Sequence, residues 1–272
     1  MKTRIIVALI GLPLLLVVLI VLPPVYLAVL LSVMCLIGAM EMFRAASGAP
    51  NTRILTVTLI CAAAIPAAVY FGLGDRSFFV VIMPLMAYNF AEAIIAYEKE
   101  KKITLNDILI SLFAGALIPY FLSTMLSLKM MDKGPYLVIL VCVITMISDS
   151  GAYFVGCALG KHKITPKVSP NKSLEGYIGS FVSAIAGIMI YGFIISMIGK
   201  FEVSYLRLLV YGVCGNIFTQ LGDLSFSLIK RQSGIKDYGN LLPGHGGILD
   251  RFDSMIFTAP VIYFLVSVLP AF

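Results

Sequence analysis

The dominant pattern along this 272-residue chain is a succession of apolar runs separated by short polar stretches. An α-helix needs about 20 apolar residues to cross the hydrocarbon core of a bilayer. The pattern predicts nine transmembrane helices and therefore an all-α polytopic membrane protein. The predicted spans are residues 4–22, 25–43, 54–72, 77–97, 106–128, 136–159, 176–198, 205–229 and 250–269.

Composition agrees with this class. The chain is 60% hydrophobic and 12% charged, whereas a soluble domain carries about 25% charged residues. Its net charge of +6 is not accompanied by an aromatic and basic nucleic-acid module. We therefore attribute the positive charge to membrane topology and anionic headgroups, and we expect no nucleic-acid partner.

The distribution of lysine and arginine predicts the orientation. If the amino terminus is cytoplasmic, 15 of the 20 Lys and Arg residues fall in cytoplasmic segments, as the positive-inside rule requires. Both charged, glycine-rich loops then face the cytoplasm, so we expect the active site in a polar cavity open to that side.

The two parts of the chain differ in chemistry. Residues 1–135 hold five predicted spans and no motif that we can match, and Glu41 and Glu92 are their intramembrane ionisable groups. We expect those two carboxylates to snorkel or to cap helices. Residues 136–272 hold four spans and the two charged loops, and we expect this region to be catalytic.

The segment 222–254 concentrates nine ionisable side chains and six glycines. Charge beside membrane-length apolar runs costs about 2.5–3.5 kcal/mol per residue at a helix centre, so such residues indicate a functional site. Asp250 and Asp253 lie at i and i+3 on one helix face, and Asp223 shares a stripe with Ser227 and Lys230. Gathering three carboxylates requires cations, and Mg²⁺ suits oxygen ligands beside substrate phosphates. The alternative for Asp250 is an N-cap that pairs with the adjacent arginine.

A glycine-rich loop, Leu-Pro-Gly-His-Gly-Gly at 242–247, leads into the last helix. Glycines permit close backbone approach, and amides at a helix start can bind an anion. His245 is either a general base or phosphate donor, or a turn residue that orients the loop. Cations flank the loop at Lys230, Arg231, Lys236 and Arg251.

A second polar region begins inside the sixth predicted span. Asp149 shares a polar, small-residue stripe with Tyr153, Gly156 and Gly160, so it either faces a cleft or makes an interhelical hydrogen bond in its protonated form. The following loop carries lysines that serve either as topology anchors or as phosphate ligands. Either of two serines in this loop is expected to cap the next helix: Ser169 or Ser173.

Together these elements closely resemble the signature of phosphatidate cytidylyltransferases (CDP-diacylglycerol synthases). The matching parts are an aspartate on a helix, Ser-x-x-Lys-Arg, Lys-Asp, Leu-Pro-Gly-His-Gly-Gly and Asp-Arg-x-Asp-Ser, together with an earlier Ser-Pro to Glu-Gly element at 169–176. In that earlier element Asn171 and Ser173 replace the usual lysine and threonine, and Leu174 stands where an aromatic residue is common, while Lys172 and Glu175 are kept.

The resemblance implies that CTP and phosphatidic acid react to give CDP-diacylglycerol and pyrophosphate in the cytoplasmic (inner) membrane of a prokaryote. It implies Mg²⁺, leaves a second cation and a homodimer open, and makes Asp223, Asp250 and Asp253 the metal ligands. The implied catalytic residues are these three with Lys230, Arg231 and His245. The implied substrate-binding residues are Asp149, Lys161, Ser169, Lys172, Glu175, Lys236, Asp237, Gly244, Gly246, Gly247 and Arg251.

Two other classes are alternatives. Another membrane lipid-phosphate transferase is one, although the Asp-Gly-x-x-Ala-Arg string of CDP-alcohol phosphotransferases is absent. A cation-coupled transporter is the other, and it predicts broken helices in two related halves, whereas the halves here are unlike.

Overall fold

The computed structural model of the protein describes residues 11, 13–47, 51–100, 102–200, 202–240 and 246–272. Residues 13–20 are helical. No strand is present within the described ranges, where an isolated bridge joins Lys163 and Ser173. The predicted all-α class is therefore confirmed. The longer helices are α1 (Pro24–Ala46), α2 (Thr52–Leu73), α3 (Arg76–Glu98), α4 (Leu105–Met130), α5 (Gly134–Leu159), α6 (Leu174–Gly199), α7 (Tyr205–Gln232) and α8 (Leu249–Val268).

Seven of the helices in the described part of the chain are long and apolar enough to cross a membrane. The exception, α7, is 28 residues long, but Asn216, Gln220 and Asp223 interrupt its apolar sequence. Each predicted span from 25–43 to 250–269 coincides with one helix, whereas the first, 4–22, lies only partly within the described residues. The protein is a polytopic membrane protein, and its nine spans and cytoplasmic amino terminus stay predictions.

Local sequence explains where several helices begin. Pro24 occupies the first turn of α1, where no intrahelical N–H is needed. The side chain of Asn51 accepts hydrogen bonds from the first amides of α2. Thr104 and Asp107 form a reciprocal capping box at the start of α4. Ser173 caps α6 by accepting a hydrogen bond from the Gly176 amide at 3.2 Å, which confirms one of the two serines predicted for that position.

The described residues group into two compact units. One unit comprises Met1–Met130 with Gln232–Phe252, and the other comprises Met131–Arg231 with Asp253–Phe272. The break after residue 130 lies close to the predicted division at 135, but the segment 232–252 groups with the first unit. This grouping concerns packing, so the functional division between 1–135 and 136–272 stays a prediction.

Polar side chains are buried between the helices of the first unit. The hydroxyls of Thr58 and Ser111 lie 2.6 Å apart, and the Asn89 amide donates to Ser111 Oγ at 2.8 Å. These residues belong to α2, α4 and α3. Interhelical hydrogen bonds of this kind help to hold helices together where lipid supplies no hydrophobic driving force between them.

Lys129 is a buried cation in the same unit. Its ammonium donates hydrogen bonds to the carbonyl oxygens of Val18 and Leu22. Cations favour the carbonyl end of a helix, so this lysine closes the end of the helical segment 13–20. The charge of Lys129 therefore has a structural role in addition to its contribution to the predicted membrane orientation.

In the second unit α5 and α6 pack closely because glycines line their interface. A Cβ atom on Gly179 would lie 2.5 Å from Cβ of Val155, and one on Gly176 would lie 2.9 Å from the carbonyl oxygen of Ala152. Small residues allow two backbones in a membrane to approach. This approach places Asp149, on α5, beside the loop that leads into α6.

Candidate active site

A polar cavity of about 210 Å³ opens in the second unit. Side chains of α5, of the loop before α6, and of α6 and α7 contribute to it. Its lining residues are Asp149, Ala152, Tyr153, Asn171, Lys172, Ser173, Gly176, Tyr177, Gln220 and Asp223. The cavity thus brings together Asp149, Lys172 and Asp223, which are widely separated in the sequence.

An ion pair lies at this cavity. Lys172 Nζ is 2.5 Å from Asp223 Oδ2, and the two side chains are 17% and 30% exposed. The same ammonium lies 5.8 Å from the centroid of the Tyr177 ring, within range of a cation–π interaction. The predicted phosphate-binding lysine is therefore held by a carboxylate and an aromatic ring.

Three carboxylates interact electrostatically in this unit. The charge of Asp223 acts on both Asp149 and Asp253, and the charge of Asp149 acts on Asp253. Lys172 offsets the charge at Asp149, and Lys230 offsets it at Asp253. Such a set is repulsive without cations, so it is suited to binding positive charge.

A neighbouring hydroxyl holds one of these carboxylates. Ser227 Oγ donates to Asp223 Oδ1 at 3.3 Å, and this contact lies along the α7 stripe that the sequence predicts. Asp149 lines the cavity, which agrees with one of its two predicted roles, and an interhelical hydrogen bond from its protonated form stays a prediction.

The residues fit a hard divalent cation in their chemistry, because their donors are carboxylate oxygens. Among the described residues, however, no three or more His, Cys, Asp or Glu side chains are gathered closely enough to hold a metal ion. Asp223 instead contacts the Lys172 ammonium. Metal binding by Asp223, Asp250 and Asp253 stays a prediction.

Asp250 is part of the first unit and organises the start of α8. Its Oδ2 atom accepts hydrogen bonds from the amides of Tyr238 at 2.8 Å and Gly247 at 2.9 Å. Gly246 has a φ of +84°, a conformation that favours glycine. The Gly247 amide, predicted to bind an anion, therefore donates to a carboxylate of the protein itself. Gly244 and His245 lie outside the described residues, so their roles stay predictions.

The loop before α6 is held by side chains that the sequence assigns to substrate. Glu175 accepts hydrogen bonds from the Lys161 amide at 3.1 Å and from the His162 amide, and its Oε1 lies 2.6 Å from His162 Nδ1. Arg231 Nε donates to the Val168 carbonyl at 3.2 Å. These contacts give Glu175 and Arg231 a loop-positioning role, and any direct contact of either with substrate stays a prediction.

Several other predicted site residues lie away from the cavity lining. Ser169 is half-buried in the same loop, and its carbonyl accepts a hydrogen bond from the Lys172 amide at 3.2 Å. Four more are exposed: Lys161, Lys236, Asp237 and Arg251. Their contacts with substrate stay predictions.

Sequence reasoning missed a buried polar network beside the cavity. Ser148 Oγ donates to Asn216 Oδ1 at 2.5 Å and accepts from the Gln220 amide at 3.1 Å, and Asn216 Nδ2 donates to Ser180 Oγ at 3.2 Å. It also missed Tyr177, whose buried hydroxyl makes no hydrogen bond within the described part of the chain. The sequence signal that could have revealed this network was the presence of two amide side chains, Asn216 and Gln220, inside the apolar sequence of α7.

The fold and site define a polytopic membrane protein with a carboxylate- and lysine-lined polar cavity among its helices. Residues 2–269 match the model of the Cytidylyltransferase family, and the chain belongs to this family.

Curated relatives carry a more specific name. The chain is 41% identical over 160 residues to a phosphatidate cytidylyltransferase of Bacillus subtilis, covering 58% of this chain and 56% of the relative. It is 38% identical over 186 residues to a phosphatidate cytidylyltransferase of Haemophilus influenzae, and the match covers 65% of this chain and 64% of the relative. It is 38% identical over 135 residues to one of Staphylococcus saprophyticus, covering 50% of each. The chain thus spans between half and slightly less than two thirds of these relatives' length.

Proposed function

We propose that this protein transfers the cytidylyl group of CTP to phosphatidic acid, forming CDP-diacylglycerol and pyrophosphate for phospholipid synthesis. The observation that carries the proposal is the cavity in which Lys172 pairs with Asp223 beside Asp149, inside a chain of the Cytidylyltransferase family. The names of the relatives support the choice of phosphatidate as acceptor.

The reaction needs little covalent chemistry from the protein. An oxygen of the lipid phosphate attacks the α-phosphorus of CTP in line, a new P–O bond forms, and the bond to the pyrophosphate oxygen breaks. A phosphate monoester dianion is already a usable nucleophile near neutral pH, so no strong protein base is required. Catalysis then depends mainly on positioning and on charge stabilisation.

The cations and the tyrosine supply these effects. Lys172, half-buried between Asp223 and the Tyr177 ring, is placed to stabilise phosphate charge in a partly buried site. Tyr177 lines the same cavity, and its buried hydroxyl, which has no hydrogen-bond partner among the described residues, is a candidate donor for substrate oxygens. The cavity is smaller than the ~300–1,000 Å³ of most ligand pockets, so it would accommodate the reacting phosphates and leave the acyl chains outside.

We propose that Asp223 and Asp253 hold Mg²⁺, with Asp250 as a further ligand and a second cation left open. When bound, Mg²⁺ supplies neutralisation of charge on the pyrophosphate leaving group. We further propose that the protein resides in the cytoplasmic (inner) membrane of a prokaryote with its cavity open to the cytoplasm. A homodimer is a further expectation.

The test is nucleotide and lipid specificity. The purified full-length chain in detergent is incubated with Mg²⁺ and each nucleoside triphosphate, with and without phosphatidic acid, and pyrophosphate release is followed. We expect release that requires both CTP and the lipid phosphate, and the Asp223→Asn variant serves as a control for contaminating activity. Release without a lipid phosphate, or without preference for CTP, would contradict the proposal.

A further inference from the structure

Glu41 is a buried carboxylate on α1, only 5% exposed, whose partners lie more than 200 residues away in the sequence. Its Oε1 accepts a hydrogen bond from the Ile248 amide at 3.0 Å, and its Oε2 accepts one from the Leu249 amide at 2.9 Å. Both amides belong to the start of α8. A carboxylate at this end of a helix is favoured by the free N–H groups and by the helix dipole.

Glu41 and Asp250 together bind four amides of the segment 238–249. Asp250 accepts from Tyr238 and Gly247, and Glu41 accepts from the next two residues after Gly247. The helix start that the sequence presents as an anion site is therefore satisfied by two carboxylates of the protein. Hydrogen bonds to charged groups are among the stronger ones in proteins.

The glycines of this segment match the position of Glu41. A Cβ atom on Gly239 would lie 2.7 Å from Glu41 Oε1, and one on Gly247 would lie 2.6 Å from Glu41 Oε2. Neither position has room for a side chain while the glutamate keeps its place. The glycines thus allow a helix of the motif-free region to contact the residues that lead directly into α8.

We propose that Glu41 is a positioning residue for catalysis: it fixes the start of α8 and thereby orients Asp250, in the first turn of this helix, and Asp253, in the next turn. This inference rests on the proposed function. Two consecutive amides bound by one carboxylate restrain the rotation of the helix about its axis as well as its position. Asp253 lies four residues beyond Leu249 on the same helix, so a rotation of the helix start displaces its carboxylate. Misplacement of a catalytic group by about 1 Å can reduce a rate on the order of a hundredfold.

The experiment compares three full-length variants with the wild type in mixed micelles of detergent and phosphatidic acid. Glu41→Gln keeps the shape and one acceptor oxygen but loses the charge. Glu41→Asp keeps the charge on a shorter side chain. Glu92→Gln is the matched control, because Glu92 is also an intramembrane glutamate but pairs with Arg53 at 3.2 Å. The measurements are kcat, KM for CTP, Tm, and amide hydrogen exchange in peptides that cover residues 246–252.

We expect Glu41→Gln to lower kcat about tenfold to a hundredfold while KM for CTP changes less than about threefold. Exchange at 246–252 should accelerate in this variant and stay unchanged in Glu92→Gln. Glu41→Asp should recover part of the lost kcat, because it restores the anion.

Two results would overturn the inference and leave the proposed function intact. One is a wild-type kcat in Glu41→Gln. The other is a loss of activity that follows only the folded fraction and Tm, with kcat per folded molecule unchanged. A wild-type protein that transfers no cytidylyl group would instead remove the proposed function, and the exchange data would then decide whether Glu41 holds the helix start.

Discussion

Replacing Lys172 by glutamine tests the central contact of the candidate site. The change removes the ammonium that lies 2.5 Å from Asp223 Oδ2 while keeping a polar side chain of similar length. Because both side chains are partly exposed, we expect the loss of this ion pair to cost only about 1–2 kcal/mol of folding free energy.

The effect on catalysis should be larger than the effect on stability. Removing one preorganised donor that faces transition-state charge costs about 2.7–4 kcal/mol, which is about a hundredfold to a thousandfold in rate. We expect this loss in kcat/KM for CTP. Lys172→Arg should also lose activity, since the planar guanidinium differs in reach and geometry from an ammonium and must fit beside the Tyr177 ring.

The assay is pyrophosphate release at varied CTP with saturating phosphatidic acid in micelles, with Tm measured on the same samples. Lys167→Gln is the matched control, because Lys167 belongs to the same loop and is exposed but does not line the cavity. A kcat/KM for Lys172→Gln within about threefold of the wild type would refute the reasoning. An equal loss in Lys167→Gln would do so as well, since it would reduce both lysines to topology anchors.

Three further predictions concern the metal, the topology and the helix packing. Asp223→Asn and Asp253→Asn should each lower turnover by orders of magnitude without unfolding the protein, and Mg²⁺ should restore the activity that EDTA removes from the wild type. A cysteine at Asn171 should react with an impermeant thiol reagent from the cytoplasmic side only, and one at Lys200 from the opposite side only, on a background without native cysteines. Gly151→Ala should lower the free energy of unfolding by about 1–3 kcal/mol, measured by thermal or denaturant unfolding in detergent, because its Cβ would lie 2.9 Å from the Gly179 carbonyl oxygen.

Each of these has a control and a result that would contradict it. Asp132→Asn is the control for the carboxylate variants, because Asp132 is exposed and is not one of the predicted site residues. Robust turnover of both Asp223→Asn and Asp253→Asn would remove the metal-site argument. Labelling of the two cysteine positions from the same side would break the predicted alternation of spans. Gly11→Ala is the control for the packing prediction, because no atom in the described part of the chain lies within 4 Å of a Cβ added at Gly11. Equal stability of the two alanine variants would refute the close approach of α5 and α6.

Much of the fold could be predicted from the sequence, because a membrane-spanning helix is indicated by a run of apolar residues within a single segment. Apolar length alone predicts a span at 54–72 where the structure has Thr52–Leu73, and one at 136–159 where it has Gly134–Leu159. Cap residues set the ends of these helices. Candidate site residues such as Asp223 and Lys172 could also be predicted, because charged side chains are rare beside membrane-length apolar runs and indicate a functional site there.

Only the tertiary structure decided which of these groups meet. It gathers Asp149, Lys172 and Asp223 around one cavity, and it directs one oxygen of Asp250 to two backbone amides. It also turns Glu41 from a carboxylate near a span end into a ligand of the Ile248 and Leu249 amides. Local patterns fix apolar length, helix faces and caps because these depend on neighbours in the sequence. Contacts across many residues depend on how whole helices pack, and no single segment of this chain encodes that packing.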